Sequence, residues 1–312
     1  MKEPMTIVVP VKNRATLVLR TLNSIKAQSW RPLKVIVVDN NSTDGTVESV
    51  MEWISKNGSE DFEVTLIEET TPGAAAARNA GLEAVDTRLM MFFDSDDKMD
   101  SKHVESIMNR FHAGDDPDLV CFRVRYHPIE GQDSMTKRPG RNIMVTHLCH
   151  GVLRTAGYAC ETALARRAGG WDETLSGWDD LEYGCRILME ARRRVFIRNV
   201  DADVFAQVDS ITGTRFSSKR GEWERALDKI ENDLSRSRHK DRDKWSRTLA
   251  YKRAILAAQY KQEKNDEAAA EQLEKALSNP LLSSLQRAYL KLAYRYTALG
   301  GRGSAIFVNL LL

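Results

Sequence analysis

No stretch of the sequence approaches the ~20 apolar residues needed to span a bilayer. The opening MKEPMTIVVPVKNR lacks the apolar core of a secretory signal. Cysteine is scarce: Cys121, Cys149, Cys160 and Cys185 are scattered with no CxxC pair. That argues against a zinc ribbon or a disulfide framework and fits a reducing cytoplasm. The HLCH stretch, His147–His150, has groups that can ligate a metal, but a lone HxxH with one Cys reads as loop or helix surface. An excess of one charge sign is also missing: 46 basic against 44 acidic residues leave a net charge of +2, which speaks against a dedicated nucleic-acid binder. What is there is a 312-residue chain of ordinary hydrophobic content, 42%, long enough for one large domain plus an appendage.

The first half has a regular beat. Short β-rich runs at MTIVVPV (5–11), LKVIVVD (33–39), FEVTLIE (62–68), RLMMFFD (88–94) and DLVCFRV (118–124) start roughly 26–30 residues apart, the spacing of βα units. They are apolar on both faces, as strands between two helix layers must be. Helical segments separate them: one after Asp44 as cap and ending at Gly58, one rich in small residues (GAAAARNAGLEAV), one opening on Asp100 or Ser101 and closing at Gly114. This predicts an open α/β sheet whose ligands bind beyond the carboxyl ends of the strands. From 127 to 160 the pattern weakens, and HPIEGQDSMTKRPGRN reads as a loop of the kind that covers a site. A strand, short helix, loop, helix and strand follow. From about Gly221 helical periodicity runs almost throughout, broken at Asn279–Pro280. The basic stretch from Arg215 to Arg253 reads first as a solvated helix face and second as a peripheral membrane-surface contact.

One stretch does not fit a bland reading. In MMFFDSDDKMD four buried-looking residues run into Asp94, Asp96 and Asp97. One Asp is explained by turn or cap chemistry; three crowded together are not. Two carboxylates about 4 Å apart repel by roughly 4 kcal/mol at an effective dielectric near 20. Protonation or a cation must offset that, and oxygen ligands favour Mg²⁺ or Mn²⁺.

The ordered set VVPVKNR, VIVVDNNSTDGT, GAAAARNAGL, FFDSDD, AGGWDETL and GWDDLEYGCRIL resembles the family 2 glycosyltransferases of the GT-A fold, over roughly residues 4–205. The resemblance implies an α/β, Rossmann-like catalytic domain at 1–215 and a helical C-terminal region at 216–312. It implies inverting transfer of a sugar from a nucleotide-diphosphate sugar, a UDP-sugar before GDP or dTDP, to an acceptor hydroxyl, with Mn²⁺ or Mg²⁺. The acceptor it suggests is a glycan or lipid-linked glycan in surface polysaccharide assembly, at a cytoplasmic site peripheral to the inner membrane face.

The same resemblance implies site residues. Pro10 ends the strand's ladder by lacking an N–H, and with Val11 positions the nucleotide. Asp39 contacts the base, followed by Asn40 where the family often has a second acid. Arg78 offers a bidentate, charge-assisted fork to the diphosphate. Asp97, ahead of Asp96 and Asp94, holds the metal, while Asp94 and Asp96 also reach the ribose or sugar. An inverting displacement needs a carboxylate at the acceptor hydroxyl; Asp180 is the first candidate and Asp179 its rival. Trp171 and Trp178 are sugar-stacking candidates, with core packing as the alternative. The family's metal-binding His, some 20–30 residues after the base, is missing; Gln207 and Asp209 stand in that region, and Ser210–Gly213 with Arg215 and Lys219 read as a phosphate-facing loop. Two other readings stay open: a non-catalytic nucleotide-sugar-binding scaffold, and an Asp-nucleophile phosphatase, which DSDDK fits poorly because it lacks the Thr or Ser of that motif.

Overall fold

A computed structural model describes residues 2–138, 140, 142–207, 215–301, 303, 307–309 and 311. Strands β1 (Met5–Val11), β2 (Leu33–Asp39) and β3 (Phe62–Glu68) coincide with the expected runs residue for residue. β1 is buried end to end and β2 nearly so, whereas β3, at the sheet margin, alternates toward exposure. β4 (Leu89–Phe92) is short and wholly buried.

Helices α1 (Leu17–Lys26), α2 (Thr46–Asn57), α3 (Ala74–Ala84) and α4 (His103–Phe111) cover these strands. Two starts differ from expectation. At α2 the cap position falls to Gly45, whose left-handed φ of 82° suits glycine; Asp44 still satisfies an orphan donor by accepting from Thr46 N at 3.1 Å. α4 begins at His103, and Asp100 serves it through its backbone carbonyl, which accepts from His103 N at 3.0 Å.

The small-residue run at α3 has a packing reason. A Cβ at Gly81 would lie 2.3 Å from Val8 Cγ1, so only glycine lets α3 sit this close to β1.

Beyond α4 come β6 (Leu119–His127), β7 (Ser134–Met135), α5 (Ile143–His150), β8 (Tyr158–Glu161), α6 (Thr162–Arg167), α7 (Asp179–Glu190) and β9 (Arg194–Phe205); β5 (Lys98–Met99) precedes α4. The sheet order is β3-β2-β1-β4-β8-β6-β9-β5, with β7 paired to β6. β1 to β4 are mutually parallel, β8 runs antiparallel between β4 and β6, and β6 and β9 are parallel.

The stretch read as a loop at 127–142 is more ordered than expected: β6 runs to His127, β7 folds back on it, and Asn142 caps α5 by accepting from Val145 N at 3.2 Å. α5 was hard to see because IMVTHLCH is apolar around most of its circumference, leaving no helical stripe.

The sheet separates two apolar layers. One holds α1, α2 and α4 with Trp30, Trp53, Phe62 and Phe111. The other holds α3, α6 and α7, and continues without a break into Trp223, Leu227, Ile230, Leu234, Trp245, Leu249, Leu256 and Tyr260. Those side chains belong to α8 (Glu222–Arg236) and α9 (Arg242–Gln262), which α10 (Asp266–Leu277) and α11 (Ser284–Ala298) extend with a smaller cluster of their own. Within the basic stretch, Arg253 departs from the solvated-face reading: it is 1% exposed and pairs with Asp228 and Glu231 at 2.6 and 2.7 Å.

Candidate active site

A cleft of about 430 Å³ opens where β1, β2 and β4 end, and β6 and β9 form its opposite wall. Val11, Asn40 and Asp94, the strand exits, line it together with α3's N-terminus and Asp180 of α7.

Pro10 corrects one expectation. β1 continues past it in register with β2, Pro10 opposite Val38 and Val11 opposite Asp39. Its missing N–H faces the other neighbour: Val8 O accepts from Phe93 N, and residues alternate sides along a strand, so Pro10 points at β4. Pairing with β4 stops there. The proline ends one ladder only, and that opens the cleft between β1 and β4.

The acids after β4 are stacked at three depths. Asp94 N-terminally opens a turn closed by Asp97 N onto Asp94 O at 3.2 Å. Asp96 is half-buried, and Arg20 Nη2 donates to its backbone carbonyl. Asp97 is 1% exposed; its Oδ1 accepts from Phe205 N at 3.1 Å and its carbonyl from Thr21 Oγ1 at 2.7 Å. Burial, then the charge of Asp94, holds both Asp96 and Asp97 above the ordinary carboxylate range. Crowded like charges in a half-dry turn are what a divalent cation relieves, and an all-carboxylate donor set fits Mg²⁺ or Mn²⁺. Among the described residues no three His, Cys, Asp or Glu side chains form a ready-made cage. A cation here fits the pattern of one or two carboxylates completed by water and phosphate oxygens.

Arg78 lines the cleft, as expected, but its fork is already engaged. It is 8% exposed, lies 4.3 Å from the centroid of Trp171, donates from Nη2 to Asp94 at 3.0 Å and from Nη1 to Asp179 at 3.1 Å. Both prongs of the fork are engaged by carboxylates, so the guanidinium ties the two acidic groups together and does not present a bidentate face to a diphosphate. The same contact corrects Trp171 as a stacking platform. It is 3% exposed, has Arg78 on its ring and packs edge-on against Phe92 and tilted against Tyr183.

On α7 the acidic pair is split. Asp179 is held by Arg78, whereas Asp180 lines the cleft. Burial, then Asp179, pushes Asp180 up to about 6, against the pull of Arg154 and Arg78. Trp178 is half-buried among Phe216, Trp223 and Lys252. Asp39 is 4% exposed and lies behind the cleft wall; one oxygen accepts from Ser42 N at 3.0 Å, and Oδ1 is buried without a hydrogen-bond partner among the described residues. Gln207 lines the cleft, while Asp209 and Ser210–Gly213 lie outside the described residues.

His147 is neither loop nor helix surface. It is fully buried, Nδ1 accepts from Leu153 N at 3.1 Å, and Nε2 lies 2.9 Å from Leu181 O. Burial brings it down to about 4.

Sequence reasoning missed Tyr126, Arg154 and Phe205, which line the far wall. No motif flags them; the signal was only that β6 and β9 end on aromatic residues. Lys12 and Arg14 also line the cleft, and both stood in the VVPVKNR motif without being singled out.

Comparison with known proteins accords with this geometry. The family model "Glycosyl transferase family 2" matches residues 6–165. The pre-mycofactocin glycosyltransferase of Mycobacterium tuberculosis is 31% identical over 203 residues, 61% of this chain and 40% of that protein. The chain spans between 15% and 40% of the length of the first curated relatives it matches. Among solved structures, Staphylococcus aureus TarS 1–349 in complex with UDP-GlcNAc superposes with a TM-score of 0.72 at 15% identity, covering 100% of this chain and 90% of that one. The mannosyltransferase PcManGT of Pyrobaculum calidifontis, in complex with GDP-Man and Mn²⁺, gives 0.57 at 22% identity, covering 100% and 86%.

Proposed function

The chain belongs to glycosyl transferase family 2 and has its GT-A fold, and from that premise we propose that it moves a sugar from a nucleotide-diphosphate sugar to an acceptor hydroxyl by a single inverting displacement. The observation that carries this reading is the pairing of two acidic groups across one cleft, Asp94–Asp97 and Asp179–Asp180, bridged by Arg78. A displacement that inverts needs charge stabilisation on the leaving side and a base on the opposite side. We assign the leaving side to the first group and the base to Asp180.

A pKa of about 6 leaves Asp180 mostly ionised at neutral pH yet basic enough to take the acceptor's proton. Asp179, held by Arg78, orients the turn that presents Asp180. Asp94 and Asp96, with Asp97 behind them, would hold Mn²⁺ or Mg²⁺, which supplies Lewis-acid stabilisation of the departing diphosphate. The buried, unpartnered Oδ1 of Asp39 suits a base N–H, and Lys12 and Arg14 suit phosphate. UDP is the favoured nucleotide, in line with the UDP-GlcNAc held by TarS; the GDP-Man in PcManGT keeps GDP in view. The acceptor we propose is a glycan or lipid-linked glycan, with residues 1–215 catalytic and 216–312 a helical region. No helix among the described residues is long and apolar enough to cross a membrane.

Calorimetric titration of UDP, GDP and dTDP, each with and without Mn²⁺, tests the reading. One nucleotide whose binding strengthens sharply with Mn²⁺ is the expected result. No binding of any nucleotide under either condition would remove the donor site and with it the proposed reaction. Nucleotide-sugar binding without turnover in any acceptor would leave a scaffold.

A further inference from the structure

The region beyond residue 215 reaches the turn before α7 at Ser176, through Glu222, and at Trp178. Trp178 immediately precedes Asp179 and Asp180 and takes a left-handed backbone, φ 53°, at the N-terminus of α7. A bulky residue is disfavoured there, so its surroundings must hold it. They come from the helical region: the ring centroids of Trp223 and Phe216 lie 5.2 and 6.2 Å from that of Trp178, and Lys252 Nζ lies 4.3 Å from the ring centroid. Trp223 Nε1 donates to Phe216 O at 3.0 Å, which locks two of the three together. The seat is tight, since a Cβ at Gly177 would come within 2.8 Å of the Trp223 ring.

Lys252 is the unexpected member. It sits in the middle of α9, and Ala250, Tyr251, Arg253 and Ala254 around it are buried. Its neighbour Arg253 has two carboxylate partners; Lys252 pairs with no carboxylate among the described residues, and its ammonium rests on an indole. Lys252 itself is half-buried, and desolvation works against its charged form, so a position that served packing alone would be filled as well by Met or Leu. What the charge gains is the ring face and the acid beyond it, for Asp180 lies within its electrostatic reach.

We infer that Lys252 is a positioning residue for Asp180: its ammonium clamps Trp178, and thereby the first turn of α7, so that the helical region completes the acceptor side of the cleft. The inference rests on the reading of Asp180 as the base.

Several charged or titratable groups face Asp180. Asp179 comes from its own helix, Arg78 from α3, Arg154 from the segment before β8, Tyr158 from β8 and Lys252 from α9. Around Lys252 stand Cys149 of α5, Cys185 of α7 and Arg154. A nearby cation favours the ionised carboxylate, so removing Lys252 raises the pKa of Asp180, whereas Lys252→Arg retains the charge.

The test is a carboxyl titration by ¹³C NMR of the full chain labelled at aspartate, with Asp180→Asn identifying the resonance. Lys252→Met is expected to move that titration upward by about half a pH unit, and Lys252→Arg to leave it within a fraction of that shift. The Trp178 indole resonance should broaden or move in Lys252→Met and recover in Lys252→Arg. If Lys252→Met does not fold, Trp178→Phe carries the test, because a weaker ring contact must shift Asp180 in the same direction. An Asp180 titration that is the same in wild type and in every folded variant would overturn the inference. Its failure is distinguishable from that of the base reading. A full transfer rate in Asp180→Asn would sink the base while leaving the clamp, whereas a lost transfer rate with an unmoved titration would sink the clamp alone.

Discussion

The two acidic groups that face each other across the cleft are held in opposite ways. The group after β4 is set by backbone: Asp97 takes the Phe205 N–H, and Arg20 and Thr21 hold the carbonyls of Asp96 and Asp97. The group at α7 is set by side chains: Arg78 on Asp179, and an aromatic cage with Lys252 on Trp178. Arg78 reaches into both and pairs one carboxylate of each, Asp94 and Asp179, leaving the others unpaired. The unpaired members, Asp96, Asp97 and Asp180, are the ones whose pKa values are raised. Crowding of like charge is thus concentrated on the oxygens that border the cleft, where a cation or a proton can relieve it.

Removing the bridge should break both sides at once. Arg78→Met leaves Asp94 and Asp179 without their buried partner, and loss of one member of such a pair costs about 3–5 kcal/mol. Urea denaturation should show a destabilisation of that order, and Mn²⁺-dependent UDP binding and sugar transfer should both be lost. A variant of wild-type stability would mean that the two pairs are not structural.

The comparison is sharpened by striking one side at a time. Asp97→Ala should abolish the metal-dependent part of nucleotide binding. Asp180→Asn should keep nucleotide binding and lower transfer by about 10²–10⁴-fold, the usual share of a general base. Titration calorimetry and a transfer assay on the same preparations separate the two. Because Asp180 must be ionised to accept a proton, wild-type kcat/KM should also fall as pH drops below about 6. A near wild-type rate in Asp180→Asn would move the base to Asp179.

How much of this could be read from the chain follows the same division. β1 and β2 were legible because buried parallel strands are continuous apolar runs that end abruptly on polar turns or Asp, and β3 because its β-rich run, half-exposed at the sheet margin, keeps the strand alternation. The group after β4 was legible because three acids follow such a run directly. The far wall was not. Tyr126 and Phe205 meet because β6 and β9 pair in parallel, and Arg154 joins them from the segment before β8; strand order leaves no mark on local pattern. The two carboxylate partners of Arg78 were hidden for a related reason. A lone Arg beside a Gly-Ala run gives no sign that Asp179, 101 residues away, lies at its other prong. Trp171 and Trp178 were both open between stacking and packing, and burial, which a single sequence does not give, settles Trp171 toward packing.

The smallest expected effect concerns the support of the α7 side. His147 Nδ1 accepts an N–H, so Nε2 carries the proton and donates to Leu181 O in the first turn of α7; the imidazole is buried neutral. Its folded pKa, about 4, lies below the ordinary 6.5. Between those values the unfolded chain binds the proton and the folded chain does not, so this contribution is complete above pH 6.5 and is lost as pH falls toward 4. From pH 7 to pH 5 the loss comes to about 2 kcal/mol. His103, brought down to about 3 by burial, adds a loss of the same sign, so wild type alone cannot isolate His147. His147→Gln can, because its amide offers a donor and an acceptor without titrating. The stability gap between wild type and His147→Gln, measured by urea denaturation at both pH values, should narrow or reverse by about 2 kcal/mol at pH 5. A gap that does not change with pH would mean that His147 is protonated in the folded protein, and the second acidic group would then face a cation where the structure places a neutral ring.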